Sequence, residues 1–142
     1  MFEKQPMKQV LPKPLVQKID CVRFHVSDLD AGLAFYRDKL GHELVWRTEE
    51  QVGLQMPDTD AEIVLHTERQ EPEIDFKVQA ADEAAVRFEE VGGKIVMPPF
   101  DIQIGRCAVV ADPWGNQFVL LDSSKGTLVT DDEGNVIGNT EQ

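Results

Sequence analysis

The chain of 142 residues has no apolar N-terminal run and no apolar stretch near the ~18 residues that a membrane-spanning helix needs. It is therefore expected to carry neither a signal peptide nor a transmembrane helix. Cations are scarce: 14 Lys plus Arg stand against 26 Asp plus Glu, a net charge of −12. That balance argues against nucleic acid or an anionic membrane as partner. Solubility is its simplest use, with a mild bias toward cationic or neutral ligands. Only two cysteines are present, Cys21 and Cys107, which suits reduced thiols in a cytoplasmic protein better than a disulfide framework. No glycine-rich phosphate loop follows a strand, so no nucleotide cofactor is expected. Gly92-Gly93 and Gly115 read as cap and turn glycines.

What is present is a repeat. The segment Ile19 to Trp46 recurs without a gap at an offset of 52 as Glu71 to Pro98: Phe24 matches Phe76, Val26 matches Val78, Asp30 matches Asp82, Tyr36 matches Phe88 and Gly41 matches Gly93. A third copy is lacking. An open solenoid needs at least about three stacked units, so two copies point to similar supersecondary units packed on each other. A ligand site is then to be sought between them.

Each copy reads strand, helix, glycine, strand. Ile19 to Val26 alternates, with Cys21, Arg23 and His25 on one face and Val22, Phe24 and Val26 on the other, the mark of a half-buried strand. Ser27-Asp28 or Asp30 supplies an N-cap, and Leu29, Leu33, Phe35, Tyr36 and Leu40 recur at helical spacing up to Gly41. Strands are expected at Glu43 to Arg47, Val52 to Met56 and Ala61 to Thr67, with the turn Pro57-Asp58-Thr59-Asp60 before the last. The second copy places Glu73, Asp75 and Lys77 opposite Ile74, Phe76 and Val78, then a helix over about Asp82 to Val91. Lys94 to Met97, Gly105 to Ala111 and Gln117 to Asp122 complete it, the last two joined by Asp112-Pro113-Trp114-Gly115-Asn116, a strong hairpin signal. Residues 1–18 read as an extended arm. Residues 123–142 are either a small hairpin or a frayed tail.

With Phe35-Tyr36-Arg37-Asp38-Lys39-Leu40-Gly41 in the first unit and Asp112-Pro113-Trp114-Gly115-Asn116 in the last hairpin, residues 19–122 resemble the vicinal oxygen chelate superfamily, which includes glyoxalase I, bleomycin and fosfomycin resistance proteins and extradiol dioxygenases. The resemblance implies an α+β fold of two βαβββ modules, residues 19–67 and 73–122, forming a curved mixed sheet around a cleft with the helices outside. It also implies a small-molecule ligand and, by analogy with relatives whose cleft joins modules of two chains, a homodimer. Metal enzymes of that family hold one ligand at each of four strand positions. These fall here on Cys21, Glu73, Val119 and Val64, or Leu65 if the register slips by one.

Valine and leucine have no lone pair to donate, so the resemblance carries over without its metal and no cofactor is expected. A fallback set is Cys21, His66 and Glu73. If the helices cover the even-numbered residues of the first and fifth strands, then Cys21, Arg23, His25, Glu73, Asp75 and Lys77 face the cleft, joined by Glu62, His66 and Gln117 over a floor of Val64, Val119 and Leu121. Such a face is either a solvated surface with ion pairs such as Arg23 to Glu73 or Asp75, or a polar pocket with an apolar floor. Trp46 and Phe100 are candidate aromatic walls or rim packing. Two functions remain: metal-free binding, which needs no catalytic group, or an enzyme, either a lyase or isomerase in which Glu73 works with His25 or His66 or a dioxygenase-like metal enzyme on the fallback set Cys21, His66 and Glu73. Cys21 is either a nucleophile activated by nearby cations or an inert buried thiol.

Overall fold

The computed structural model describes residues 12–68 and 70–140. The first eleven residues of the expected arm lie outside the described residues. The chain folds into one eight-stranded sheet of order β2-β3-β4-β1-β5-β8-β7-β6 and a separate two-stranded hairpin. The first module supplies β1 (Lys18–His25), β2 (Leu44–Arg47), β3 (Gln51–Met56) and β4 (Thr59–His66); the second supplies β5 (Glu73–Lys77), β6 (Lys94–Ile102), β7 (Gly105–Ala111) and β8 (Gln117–Leu121). In each module the first strand pairs parallel with the fourth, and β1 and β5 join the halves antiparallel, Arg23 facing Glu73. This is the expected α+β architecture.

Two cores lie on the helix side of the sheet, and both follow the alternation of the sequence. Val22, Phe24 and Val26 pack with Leu33, Val52, Leu54, Ile63 and Leu65 in the first module. Phe76 and Val78 pack with Ala81, Ala84, Val110, Leu120, Phe88 and Phe118 in the second. Phe24 and Phe76 thus hold equivalent places. Of the expected arm, Leu15 and Val16 join the second core, while the Gln17 N–H reaches Lys77 O at 2.8 Å.

The two helices differ. Helix α2 (Ala81–Glu90) is regular, and its first N–H is capped from afar: Ala81 N donates to Asp122 Oδ2 at 2.8 Å. Helix α1 (Leu29–Leu33), capped by Asp28, widens into a π segment over Ala34–Lys39, with Leu40 N donating to Phe35 O. The expectation of one regular helix to Gly41 is therefore corrected. Extra residues per turn carry positions beyond Leu33 off the 3.6-residue stripe, so Tyr36 packs on the core while Phe35 and Leu40 are exposed.

Two further strands have other bounds than expected, and one open alternative is decided. β4 begins at Thr59, so the turn before it is Pro57-Asp58. β6 does not stop at Met97 but continues through Pro98-Pro99 to Ile102, with its register to β7 slipping between Met97 and Phe100. Prolines are tolerated there because β6 is an edge strand, where a backbone N–H can be missing without breaking a ladder on both sides. The C-terminal segment is a hairpin, β9 (Leu128–Thr130) and β10 (Val136–Asn139). Its turn repeats the chemistry of the β7–β8 turn: Asp112 accepts from the N–H groups of Trp114 and Asn116, and Asp131 from those of Glu133 and Asn135, with Gly115 and Gly134 at positive φ.

The hairpin is seated across the sheet. Arg47 N donates to Gly134 O at 2.7 Å at the β2 edge, and Gln103 Nε2 donates to Asn139 Oδ1 at 2.7 Å at the β6–β7 turn. β2 and β6 stand at opposite ends of the strand order, so one short hairpin can touch both only because the sheet curls on itself.

Candidate functional site

The face of the sheet turned away from the helices is concave, and its strands bring the expected residues together in rows. One row runs Gln55, Glu62, Cys21, Asp75, Val119, Val109; a second runs Gly53, Val64, Arg23, Glu73; a third pairs Gln51, His66 and His25. Lys77 faces Leu121, which faces Cys107. Val64, and not Leu65, occupies this face: Leu65 lies in the helix-side core.

At the centre the polar groups are linked to one another. Arg23 lies with Nε 3.5 Å from Glu73 Oε2 and donates through its guanidinium to Gln51 Oε1 at 2.9 Å. Cys21 Sγ donates to Asp75 Oδ2 at 3.5 Å. Asp75 is 6% exposed, and its other oxygen, Oδ1, is buried with no hydrogen-bond donor. Burial raises the Asp75 pKa to about 9, reinforced by the neighbouring Glu73 carboxylate. A raised pKa favours the protonated form of Asp75 beside Glu73. The same burial, with Asp75 beside it, pushes the Cys21 thiol well above the ordinary range, and burial pushes Cys107 up to about 11. Of the two readings of Cys21, these surroundings favour the inert buried thiol, because a thiolate there would be desolvated beside Asp75.

The remaining candidates fall away from this centre. Trp46 lies over Gly53, close enough that a Cβ there would meet its Nε1 at 2.1 Å, and its indole N–H donates to Glu62 Oε1 at 2.7 Å. Glu62 is thus engaged with the aromatic wall, and burial raises its pKa. His25 and His66 stand together, ring centroids 6.3 Å apart. His25 Nδ1 bonds Glu68 O, while His66 accepts from Glu68 N and sits against Gln70, its pKa lowered by burial and by Arg23. Gln117 is exposed at its strand end. Beyond Asp75 the face turns apolar: Cys107, Val119 and Leu121 pack with Ile102, Ile104 and Val109. Phe100 is a rim residue at 38% exposure.

Two participants escaped the sequence reading, Gln51 and Gly53. Their signal was available: β3 alternates, and a glycine inside a strand marks close approach by another group.

The family model of the Glyoxalase/Bleomycin resistance protein/Dioxygenase superfamily matches residues 18–120. The chain belongs to this superfamily. Among solved structures, methylmalonyl-CoA epimerase from Mycobacterium tuberculosis is similar with a TM-score of 0.66 and 22% identity, over 80% of this chain and 92% of that one. Homoprotocatechuate 2,3-dioxygenase from Brevibacterium fuscum is similar with a TM-score of 0.60 and 20% identity, over 94% of this chain and 41% of the enzyme. A hypothetical protein from Bacillus halodurans gives 0.64 and 16%, over 74% and 93%. No curated protein sequence matches the chain. At these identities the likeness establishes the vicinal oxygen chelate fold. No helix among the described residues is long and apolar enough to cross a membrane.

The superfamily's four metal positions do not fit a metal here. Val64 and Val119 offer no donor, Cys21 is committed to Asp75, and Glu73 to Arg23. Nor does the fallback set assemble, since Cys21 and Glu73 keep those partners while His66 turns to Glu68 and Gln70. Among the described residues no group of three or more His, Cys, Asp or Glu is placed to hold an ion.

Proposed function

We propose that the chain is a metal-independent small-molecule-binding protein of the glyoxalase/bleomycin-resistance type. One observation carries this reading: two of the four ligand positions are buried valines and the other two are tied to protein partners. The concave face then offers a ligand a polar centre at Arg23, Glu73 and Asp75 with an apolar wall at Val109, Val119 and Leu121, the usual make-up of a small-molecule site. Elemental analysis after purification without added metal should find far less than one zinc, nickel, manganese or iron per chain, and chelator should leave the melting temperature unchanged. One metal per chain, lost in Glu73→Ala or His66→Ala, would overturn the reading.

A second reading, a lyase or isomerase, draws on the two neighbouring carboxyls. Burial favours the protonated form of Asp75, which makes it a candidate acid beside Glu73 as a candidate base, the pairing that proton-transfer chemistry requires. In that reading Glu73 takes a substrate proton and Asp75, rather than His25 or His66, returns one, because both histidines are tied to the chain around Glu68. Turnover abolished in Glu73→Gln with ligand affinity retained would favour it.

A homodimer, proposed by analogy with relatives, has less to stand on in the termini. The described part of the N-terminal arm and the C-terminal hairpin both pack on their own chain. Light scattering at high micromolar concentration decides between one chain and two.

A further inference from the structure

The superfamily match ends at residue 120, before the hairpin β9–β10. That hairpin touches both outer edges of the curled sheet, and its contacts are built on each side. At the β2 edge, Arg47 N–H bonds Gly134 O, Arg47 forms a parallel bridge with Asn135, and a Cβ on Gly134 would meet Leu44 Cδ2 at 3.2 Å. At the other edge, Gln103 bonds Asn139, Asn139 Nδ2 bonds Lys125 O, and Lys125 holds Ile104 O by its N–H and Asp101 by its ammonium at 3.0 Å. A bridge between two edges of a curled sheet crosses the opening of its concave face. Beside it remains a groove of roughly 640 Å³, lined by Arg47, Thr48, Glu49, Gln103, Asn135 and Val136.

We infer that the C-terminal hairpin is a built wall of the binding cleft, closing it over Cys21 and Cys107. This rests on the concave face being the binding site.

Thiol labelling tests the wall without knowledge of the ligand. Methyl methanethiosulfonate is small and neutral; 5,5′-dithiobis(2-nitrobenzoate) is bulky and dianionic. Both are applied to the full chain at one fixed pH, with sites located by mass spectrometry. The small reagent should label Cys21 and Cys107 well ahead of the bulky one. Gly134→Val, which puts a branched side chain at positive φ and against Leu44, should speed the bulky reagent about tenfold or more and the small one far less, because access then needs less local opening. Gln103→Ala, which removes a single bond, should give about threefold, and it carries the test if Gly134→Val does not fold. Equal labelling by both reagents in the full chain, or an unchanged bulky-reagent rate in a variant whose hairpin amides have lost exchange protection, overturns the inference. A hairpin still protected in Gly134→Val overturns its seat on Leu44. Metal content and ligand retention are read separately, so the wall and the metal-independent reading can fail independently.

Discussion

The two modules keep the same residues on the side they turn to their helices and different ones on the side they turn to each other. Phe24 and Phe76, or Val26 and Val78, do the same packing in both halves. On the concave face the offset of 52 sets Cys21 against Glu73, Arg23 against Asp75 and His25 against Lys77. Beyond these pairs the first module stays polar with Glu62, His66 and Gln51, whereas the second is apolar with Cys107, Val109, Val119 and Leu121. Packing constrains shape and volume, so a duplicated core tolerates little divergence. A cleft wall meets a ligand instead, and its two halves are free to specialise as a polar side and an apolar side.

The largest expected effects test the part that is alike. Leu65 and Leu120 are both fully buried beneath a helix, and truncating either to alanine should destabilise the whole chain by about 2–5 kcal/mol. Urea denaturation should show one transition in both variants, shifted by similar amounts; two separate transitions would break the picture of mutually dependent halves.

Next comes a place where the modules solve one problem differently. α1 is capped locally by exposed Asp28, so Asp28→Ala should cost about 1 kcal/mol. α2 relies on Asp122, which accepts from the N–H groups of Ala81, Arg106 and Ser124 and from the Ser124 hydroxyl. Burial alone would raise the Asp122 pKa, but these donors outweigh it and hold it below the ordinary range. Asp122→Ala leaves buried donors unpaired and should cost about 2–4 kcal/mol in the same measurement.

A smaller, pH-dependent effect sits at the seam. Burial pushes the Asp75 pKa up to about 9, from the ordinary 3.8 of an exposed aspartate. Between those values the unfolded chain releases the proton first, so this group's contribution is full below about 4, declines as pH rises and levels off above about 9. Asp75→Asn retains an acceptor for Cys21 and a donor toward Glu73 without an ionisable proton. From pH 5 to 8 the wild-type chain should lose more than about 1 kcal/mol relative to Asp75→Asn. Parallel stability curves would show that Asp75 is ionised when folded. Smallest of all, His25→Gln and Lys77→Gln change equivalent rim positions and should move stability by less than about 0.5 kcal/mol each.

The alternation of Ile19 to Val26 and its copy was enough to sort which residues face the helices, because period-two burial is written directly in residue type. Val119 was equally legible through the turn motif that fixes its register, whereas Val64 stood beside Leu65 as an alternative until the pairing with Arg23 and Gly53 decided it. Other features depend on contacts remote in sequence. Nothing near Ala81 signals that its cap is Asp122, 41 residues on, nor that Arg23 finds Gln51. The π segment after Leu33 leaves a helical pattern that reads as regular. Pro98-Pro99 reads as a loop until β6 is known to be an edge. Thr127 to Ile137 was legible only as a hairpin or a frayed tail, and where a hairpin would sit depends on the curl of a sheet built from strands far away.

Those same two edges bear on how copies of the chain can meet. Unpaired edge strands invite end-on strand addition and, under stress, aggregation. One edge here carries Pro98-Pro99, which lack the N–H groups that addition would use. The other is occupied at Arg47 by the hairpin's Gly134. A second copy therefore meets an interrupted ladder at either end, which disfavours growth of the sheet by strand addition.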